Sequence, residues 1–148
     1  MRIRLRPVED DDVALFYEHQ RDSEAADMAA FPSRSREDHA AHWDKIRADD
    51  SNVMRTIVWA DDVAGNIVSW RHEDGHREVG YWIDKRLWGR GIASRALRAF
   101  LDIEQTRPLY AFVAERNGGS IRVLEKCGFV PLRTETEDDQ THLMMVLE

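Results

Sequence analysis

The most informative segment of the sequence reads Gly80-Tyr81-Trp82-Ile83-Asp84-Lys85-Arg86-Leu87-Trp88-Gly89-Arg90-Gly91-Ile92-Ala93-Ser94. Its first residues predict the end of a β-strand, and a helix begins after a short loop that holds two glycines. The first amides of a helix have no partner inside the helix and lie at the positive end of its dipole. Gly89 and Gly91 have no side chain to keep an anion away. The segment therefore predicts a cradle for a phosphate or pyrophosphate group.

Two well-known phosphate motifs do not fit this segment. It lacks the third glycine of the dinucleotide fingerprint and the Lys-Ser/Thr ending of a P-loop. A pair of glycines before a helix also occurs in ordinary tight connections, so the segment alone does not identify a ligand.

The patterns on both sides of the glycine loop predict a single α/β (α+β) domain over residues 1–148. The order strand, helix, strand after residue 79 predicts a parallel strand pair. The predicted sheet is mixed and mainly antiparallel, with six or seven strands and about four flanking helices. Residues 21–33 are predicted to be irregular. The predicted strands include Ile3–Arg6, Thr56–Trp59, Val63–Trp70, Val79–Ile83, Leu109–Val113 and a last hairpin that turns near residues 137–139; helices are predicted after Asp10, Ser35 and Gly91 and over Ser120–Cys127.

Composition excludes several classes of partner. The chain has 148 residues, a net charge of −7 and one cysteine, Cys127, so no internal disulfide forms. An acidic chain lacks the basic surface that nucleic-acid binding needs, and no nucleic-acid partner is expected. No apolar run is long enough to cross a bilayer, and the first residues read as a strand and not as a signal peptide. We therefore expect a cytoplasmic protein that does not associate with membranes.

Two motifs together resemble those of the GNAT superfamily of acetyltransferases. Arg86-x-x-Gly89-x-Gly91-x-Ala93 is similar to the pyrophosphate-binding motif of that superfamily. Asn117-Gly118-Gly119-Ser120, followed by Leu124-Glu125-Lys126-Cys127-Gly128-Phe129, resembles its second motif, and the spacing agrees. Glu78-Val79-Gly80-Tyr81-Trp82-Ile83 before Trp88-Gly89 is similar to the branch that acetylates ribosomal-protein N-termini. The resemblance extends from about Val63 to Val130.

The resemblance implies a fold and an activity. The fold would be of the GNAT type, with a central parallel strand pair that splays apart. The activity would be N-acetyl transfer from acetyl-coenzyme A to a primary amine by direct attack in a ternary complex, without a metal, in a monomer or homodimer. The acceptor would be a protein N-terminus, an amino acid or a small amine. The alternative is an acyl-coenzyme A sensor or interaction module without turnover.

The resemblance also implies the donor-binding residues. Backbone amides would hold the coenzyme A pyrophosphate, and the side chains of Arg86 and Arg90 would add positive charge or remain solvated. Ile83 would contact the pantetheine arm through its backbone. Asn117 would hydrogen-bond that arm or serve only as a loop or cap residue. The amides are those around Gly89, Arg90, Gly91, Ile92, Ala93 and Ser94.

Acetyl transfer needs a base for the amine and an acid for the leaving sulfur. Glu78 is the candidate base, because related enzymes place an acidic residue on this strand; its alternative is an exposed strand carboxylate. Period two places Glu78 on one strand face with Gly80 and Trp82. Many relatives use a tyrosine as the acid, but Leu124 stands at that position here. Ser120 is the candidate acid; the alternatives are that it is a helix N-cap, that it has both roles, or that water protonates the thiolate.

Other residues have simpler interpretations. His72-Glu73-Asp74-Gly75-His76 matches the H-E-x-x-H pattern of zinc proteases. That chemistry needs a helix, whereas Asp-Gly between two strands predicts a hairpin turn. Cys127 is expected in the core. Further residues are expected either to shape an acceptor pocket or to pack against the core: Trp70, Trp82, Met28, Phe31 and Pro32.

Overall fold

Seven strands form one sheet in this computed structural model, which describes residues 2–29 and 33–148. Neighbouring strands are antiparallel except for the fourth and fifth, which are parallel. The strands are β1 (Ile3–Arg6), β2 (Val53–Trp59), β3 (Asp62–Arg71), β4 (Arg77–Ile83), β5 (Leu109–Ala114), β6 (Val130–Glu137) and β7 (Gln140–Leu147). They lie in the order β1-β2-β3-β4-β5-β7-β6. The mixed, mainly antiparallel sheet predicted from the sequence is confirmed.

The described residues also form five α-helices and one short 3₁₀ helix. The glycine loop lies between the 3₁₀ helix and the fourth α-helix, as the sequence predicts. Within the described residues, no helix combines the length and the apolar character needed to cross a bilayer. The helices are α1 (Asp10–Gln20), α2 (Ser23–Ala29), α3 (Arg36–Ala48), α4 (Ile92–Ile103) and α5 (Gly118–Lys126), with the 3₁₀ helix at Lys85–Leu87.

Helix α2 corrects the prediction that residues 21–33 are irregular. The Asp22 side chain accepts a hydrogen bond from the Ala25 amide (2.9 Å) and so caps the start of this helix. Ala25 and Ala26 are buried, which adds packing to the good helix propensity of alanine. Met28 lies on α2 and is half-buried. Phe31 and Pro32 lie outside the described residues.

The two faces of the sheet carry different helices. On one face α4 buries Leu97 and Phe100 in the main core, and α5 packs beside it. On the other face Phe16 of α1 and Trp43 of α3 form a second buried cluster, with ring centroids 5.0 Å apart. Strand β4 therefore lies between two layers of helices.

Alternation along β4 sends its side chains to both layers. Val79 and Ile83 belong to the main core under α4. Trp82 points the other way, since its indole nitrogen donates to the backbone oxygen of His19 in α1 (3.3 Å). This agrees with the period of two predicted for the strand.

The parallel pair β4 and β5 is joined at one end only. The registered pairs are Arg77 with Leu109 and Glu78 with Tyr110, and among the described residues the pairing goes no further. Beyond Glu78 the two strands part. The splayed central pair that the resemblance implies is confirmed, and the parted end faces the glycine loop.

A buried polar cluster stabilises the joined end. The Arg77 guanidinium donates to a Glu104 carboxylate oxygen (Nε–Oε1 2.7 Å), and the Ser69 hydroxyl donates to the same oxygen (2.5 Å). All three residues are buried. Burial raises the pKa of Glu104, but hydrogen bonds from Ser69, Arg77 and Thr106 outweigh it and lower the pKa to about 2.

Replacing Glu104 with glutamine should destabilise the protein strongly. We expect a loss of about 3–5 kcal/mol in the free energy of unfolding at pH 7, because Arg77 would stay buried without its counter-ion. Folding lowers the Glu104 pKa, so its ionisation stabilises the folded state above pH 4.5, and this contribution is lost as the pH falls towards 2. Urea unfolding across this range should show a flatter pH dependence for Glu104→Gln. The exposed Glu137→Gln is the control and should match the wild type.

The H-E-x-x-H segment forms a tight turn between β3 and β4. The amide of His72 donates to the oxygen of His76 (2.8 Å), and the amide of Gly75 donates to the oxygen of His72 (2.9 Å). The hairpin turn predicted from Asp-Gly is confirmed, and the helix that a zinc protease needs is not formed here.

Candidate functional site

A cleft of about 680 Å³ opens between the end of β4 and the residues that follow β5, beyond the point where these two strands part. It runs from the end of β4 along the glycine loop to the first turn of α5, and two side chains of α2 border it. The lining includes most of the predicted donor-binding residues. These are Ile83, Gly89, Gly91, Ile92, Ala93, Ser94, Asn117 and Ser120.

The glycine loop presents free backbone amides to this cleft. Gly91 is the N-cap of α4, and it offers no side-chain cap. The first helical hydrogen bond of α4 runs from the Arg95 amide to the Gly91 oxygen (3.2 Å), so the amides of residues 92–94 precede the helical pattern. Gly89 and Gly91 have φ angles of 80° and 74°, and open space surrounds the position of a Cβ at both. An anion can therefore approach these amides closely.

The side chains of Arg86 and Arg90 do not line the cleft. The Arg86 guanidinium donates twice to the Asp84 carboxylate (2.6 and 3.0 Å). The Arg90 guanidinium lies over the Trp59 ring, 5.2 Å from its centroid. Of these two residues, only the backbone of Arg90 belongs to the turn beside the cleft.

Trp88 shapes the end of the cleft next to Ile83. Its indole nitrogen donates to the Ile83 oxygen (3.0 Å), so this carbonyl already has one partner. A carbonyl oxygen accepts two hydrogen bonds, which leaves one position on Ile83 for a ligand. Trp88 lines the cleft and is 41% exposed.

Asn117, and not Ser120, caps helix α5. The Asn117 side-chain oxygen accepts a hydrogen bond from the Ser120 amide (3.2 Å). The cap interpretation considered for Ser120 is therefore wrong, and the one considered for Asn117 is confirmed. The helix begins earlier than predicted because the asparagine satisfies its first amides.

The Ser120 hydroxyl contacts Tyr81, a residue to which the sequence assigned no chemical role. The Tyr81 hydroxyl donates to Ser120 Oγ (3.0 Å), and both residues line the cleft. Burial raises the pKa of Tyr81 to about 12, so it stays protonated at neutral pH. Leu124, one turn further along α5, is buried. The cleft thus holds two linked hydroxyl groups beside the apolar Leu124.

Glu78 lies at the point where the two strands separate and does not line the cleft itself. Its side chain is 10% exposed, which contradicts the alternative of an exposed strand carboxylate. Its Oε1 lies 2.6 Å from Nε2 of His76, and the His76 ring meets Tyr110 edge-on (centroids 5.2 Å). His76 is two residues before Glu78, so a period of two places both side chains on one strand face. The two-residue spacing of His76 and Glu78 is therefore a feature of the sequence that could have predicted their contact.

Helix α2 spans the open end of the cleft. On one side the Lys85 ammonium pairs with Glu24 (2.5 Å), and on the other the Arg116 guanidinium donates to the Asp27 backbone oxygen. Lys85 follows β4 and Arg116 follows β5. Met28 and Ala25 of the same helix line the cleft. The helix therefore connects the ends of both parted strands.

Of the other candidates, two pack against the core clusters and two line the cleft. Cys127 packs against the main core, and burial raises the pKa of its thiol. Trp70 packs with the second cluster, close to Gly80. Trp82 and Met28 line the cleft.

Comparison with known proteins supports the same type of site. A family model described as an acetyltransferase (GNAT) domain matches residues 2–130. The probable N-acetyltransferase YjcK of Bacillus subtilis is 29% identical over 106 residues, which are 69% of this chain and 55% of that protein. The chain therefore matches about half the length of this curated relative.

Solved structures share the fold at low identity. A spermidine N-acetyltransferase from Vibrio cholerae in complex with CoA and spermine has a TM-score of 0.84 at 18% identity, covering 98% of this chain and 94% of that chain. An aminoglycoside acetyltransferase, AAC(6′)-Ib, in complex with coenzyme A has a TM-score of 0.80 at 18% identity, covering 99% and 94%. At this identity the likeness concerns the fold.

Proposed function

The chain belongs to the acetyltransferase (GNAT) family, and on this basis we propose that it transfers an acetyl group from acetyl-coenzyme A to a primary amine by direct attack in a ternary complex. The observation that carries the proposal is the cleft between the parted strands, with free helix amides at one end. A ligand with a diphosphate and a long, narrow arm fits such a cleft.

Donor binding follows from the backbone. The amides of residues 89–94 would hold the diphosphate, where the helix dipole and unpaired N–H groups favour negative charge. The pantetheine arm would extend between β4 and β5, with Ile83 and Asn117 beside it. The Arg86 side chain would stay with Asp84, so most of the attraction would come from amides and not from arginine.

Ser120 and Tyr81 would supply the proton for the leaving sulfur. The amine nitrogen bonds to the thioester carbon, the carbon–sulfur bond breaks, and the thiolate takes up a proton. Because Tyr81 donates to Ser120 Oγ, the hydrogen of Ser120 is free to be donated into the cleft. Tyr81 would then return a proton to Ser120 and take one up from water, so that the Ser120–Tyr81 pair does the work of the tyrosine that is missing at Leu124.

Glu78 would accept the proton that the amine loses. An alkylammonium has a pKa of about 10, so a base is needed at neutral pH. Glu78 stands where the strands part, on the face opposite to α4, and an amine entering from that face would meet it before the thioester. His76 would orient its carboxylate (2.6 Å).

The acceptor would be one of several amines. The similarity of residues 78–83 and 88–89 to the branch that acetylates ribosomal proteins favours a protein N-terminus. One structural neighbour is bound to spermine and another is named as an aminoglycoside acetyltransferase, so polyamines and aminoglycosides are further candidate acceptors. An amino acid is the remaining candidate acceptor.

A binding measurement and a turnover measurement test the proposal together. Isothermal titration should show one acetyl-coenzyme A bound per chain, and thiol release should appear with at least one amine from a panel of peptides, amino acids, polyamines and aminoglycosides. Binding without thiol release from any acceptor would instead support an acyl-coenzyme A sensor. No heat at high micromolar ligand would contradict both functions.

A further inference from the structure

The turn between β3 and β4 brings three metal-binding groups together at the surface. The rings of His72 and His76 are stacked, with centroids 4.7 Å apart and an angle of 10° between their planes. The Asp74 carboxylate lies beside both rings. One ligand atom from each of these residues lies within 4.8 Å of the other two.

The donor atoms have the chemistry of a zinc site. Asp74 Oδ1 is 3.8 Å from Nδ1 of His72 and directly contacts Nδ1 of His76. Two imidazoles and one carboxylate are a common ligand set for Zn²⁺, which leaves its fourth position to water. With bond lengths of about 2.0–2.2 Å, the ligand atoms of a tetrahedral zinc site lie about 3.4 Å apart, so His72 must move towards Asp74 while the contacting Asp74 and His76 must move apart. The His72 and Asp74 side chains are 48% and 63% exposed, so they are free to adjust.

The backbone already holds the turn in one shape. Hydrogen bonds between His72 and His76, and from Gly75 to His72, fix the two ends of the turn. Little backbone entropy would therefore be lost when a cation binds.

His76 has the outer partner that metal-bound histidines usually have. Its Nδ1 faces Asp74, while its Nε2 lies 2.6 Å from the buried Glu78 carboxylate. A histidine that binds a metal through one nitrogen generally donates its other N–H to such an acceptor, which fixes the ring and strengthens the ligand. The neighbours of both His76 ring nitrogens, Asp74 at Nδ1 and Glu78 at Nε2, thus agree with metal binding.

We propose that His72, Asp74 and His76 form a surface site for a divalent zinc ion, with Glu78 as the outer hydrogen-bond partner of His76. The sequence predicts no metal, because the only zinc pattern it matches, that of the zinc proteases, requires a helix. The folded turn supplies a different arrangement, in which the ligands come from the two ends and the middle of one hairpin. None of the three ligands lines the cleft, so zinc binding does not require acetyl transfer, although His76 also contacts Glu78, the proposed base.

Isothermal titration of the apo protein with zinc chloride at pH 7.5 tests this site. We expect one zinc per chain with a micromolar dissociation constant. His72→Ala and Asp74→Asn should each weaken binding at least about tenfold, which corresponds to 1.4 kcal/mol. Glu73→Gln is the matched control, because it removes one carboxylate charge from the same turn without removing a ligand, and it should bind as the wild type does.

Two results would overturn the proposal. Binding that is unchanged in His72→Ala would show that the zinc lies elsewhere. An equal loss in Glu73→Gln and Asp74→Asn would show general attraction to an acidic turn and no site. The titration contains no acetyl-coenzyme A, so its outcome does not depend on the proposed transferase activity.

Discussion

Acetyl-coenzyme A binding should fall at least about 100-fold when Gly91 is replaced by valine. Gly91 holds a φ angle of 74°, a left-handed conformation that β-branched residues rarely adopt. The valine would either rotate the amides of residues 92–94 away from the diphosphate or place its methyl groups in the open space beside them. A hydrogen bond to a charged group contributes about 1.5–3 kcal/mol, so losing two such bonds accounts for the effect.

A second glycine separates loss of binding from loss of stability. Gly75 also has a positive φ angle (96°) and open space around it, but it lies in the β3–β4 turn away from the cleft. Both valine variants should lose about 1–2 kcal/mol of stability from the left-handed backbone alone. In isothermal titration only Gly91→Val should lose acetyl-coenzyme A. Wild-type affinity in Gly91→Val would contradict the assignment of the glycine loop.

The features predicted correctly are those set by neighbouring residues in the chain. Val79 and Ile83 alternate with Trp82 along a single strand. This alternation correctly predicts which side chains lie on each face of β4. The two glycines before Ile92 form a left-handed loop that lines the cleft, at the position that the sequence predicts. A regular period and a left-handed loop need no knowledge of distant contacts.

The features that were missed depend on residues far apart in the sequence. Tyr81 and Ser120 are separated by 39 positions, and only the packing of α5 beside β4 brings their hydroxyl groups together. Helix α2 has only seven residues, and its place across the cleft depends on Lys85 and Arg116. Such a short segment is not a stable helix by itself, so its local sequence gives a weak signal.

Catalysis should decrease about 100-fold in Glu78→Gln, while the affinity for acetyl-coenzyme A stays the same. Positioned general bases typically contribute at least this much, and the amide of glutamine is not a base. Glu78 does not line the donor cleft, so its replacement leaves the diphosphate and pantetheine contacts in place. Steady-state thiol release should therefore show a lower kcat and an unchanged KM for acetyl-coenzyme A.

The pH dependence of the remaining activity distinguishes a base from a structural residue. If Glu78 takes a proton from the acceptor ammonium, the variant can use only the fraction of amine that is already neutral. That fraction rises about tenfold per pH unit below the amine pKa, so the Glu78→Gln rate should rise towards the wild-type rate as the pH approaches about 8 for a protein N-terminus or about 10 for an alkylamine. A variant that is merely misfolded would stay slow at every pH. Glu73→Gln, an exposed carboxylate in the adjoining turn, should behave as the wild type throughout. Full activity of Glu78→Gln at pH 7 would assign the base elsewhere.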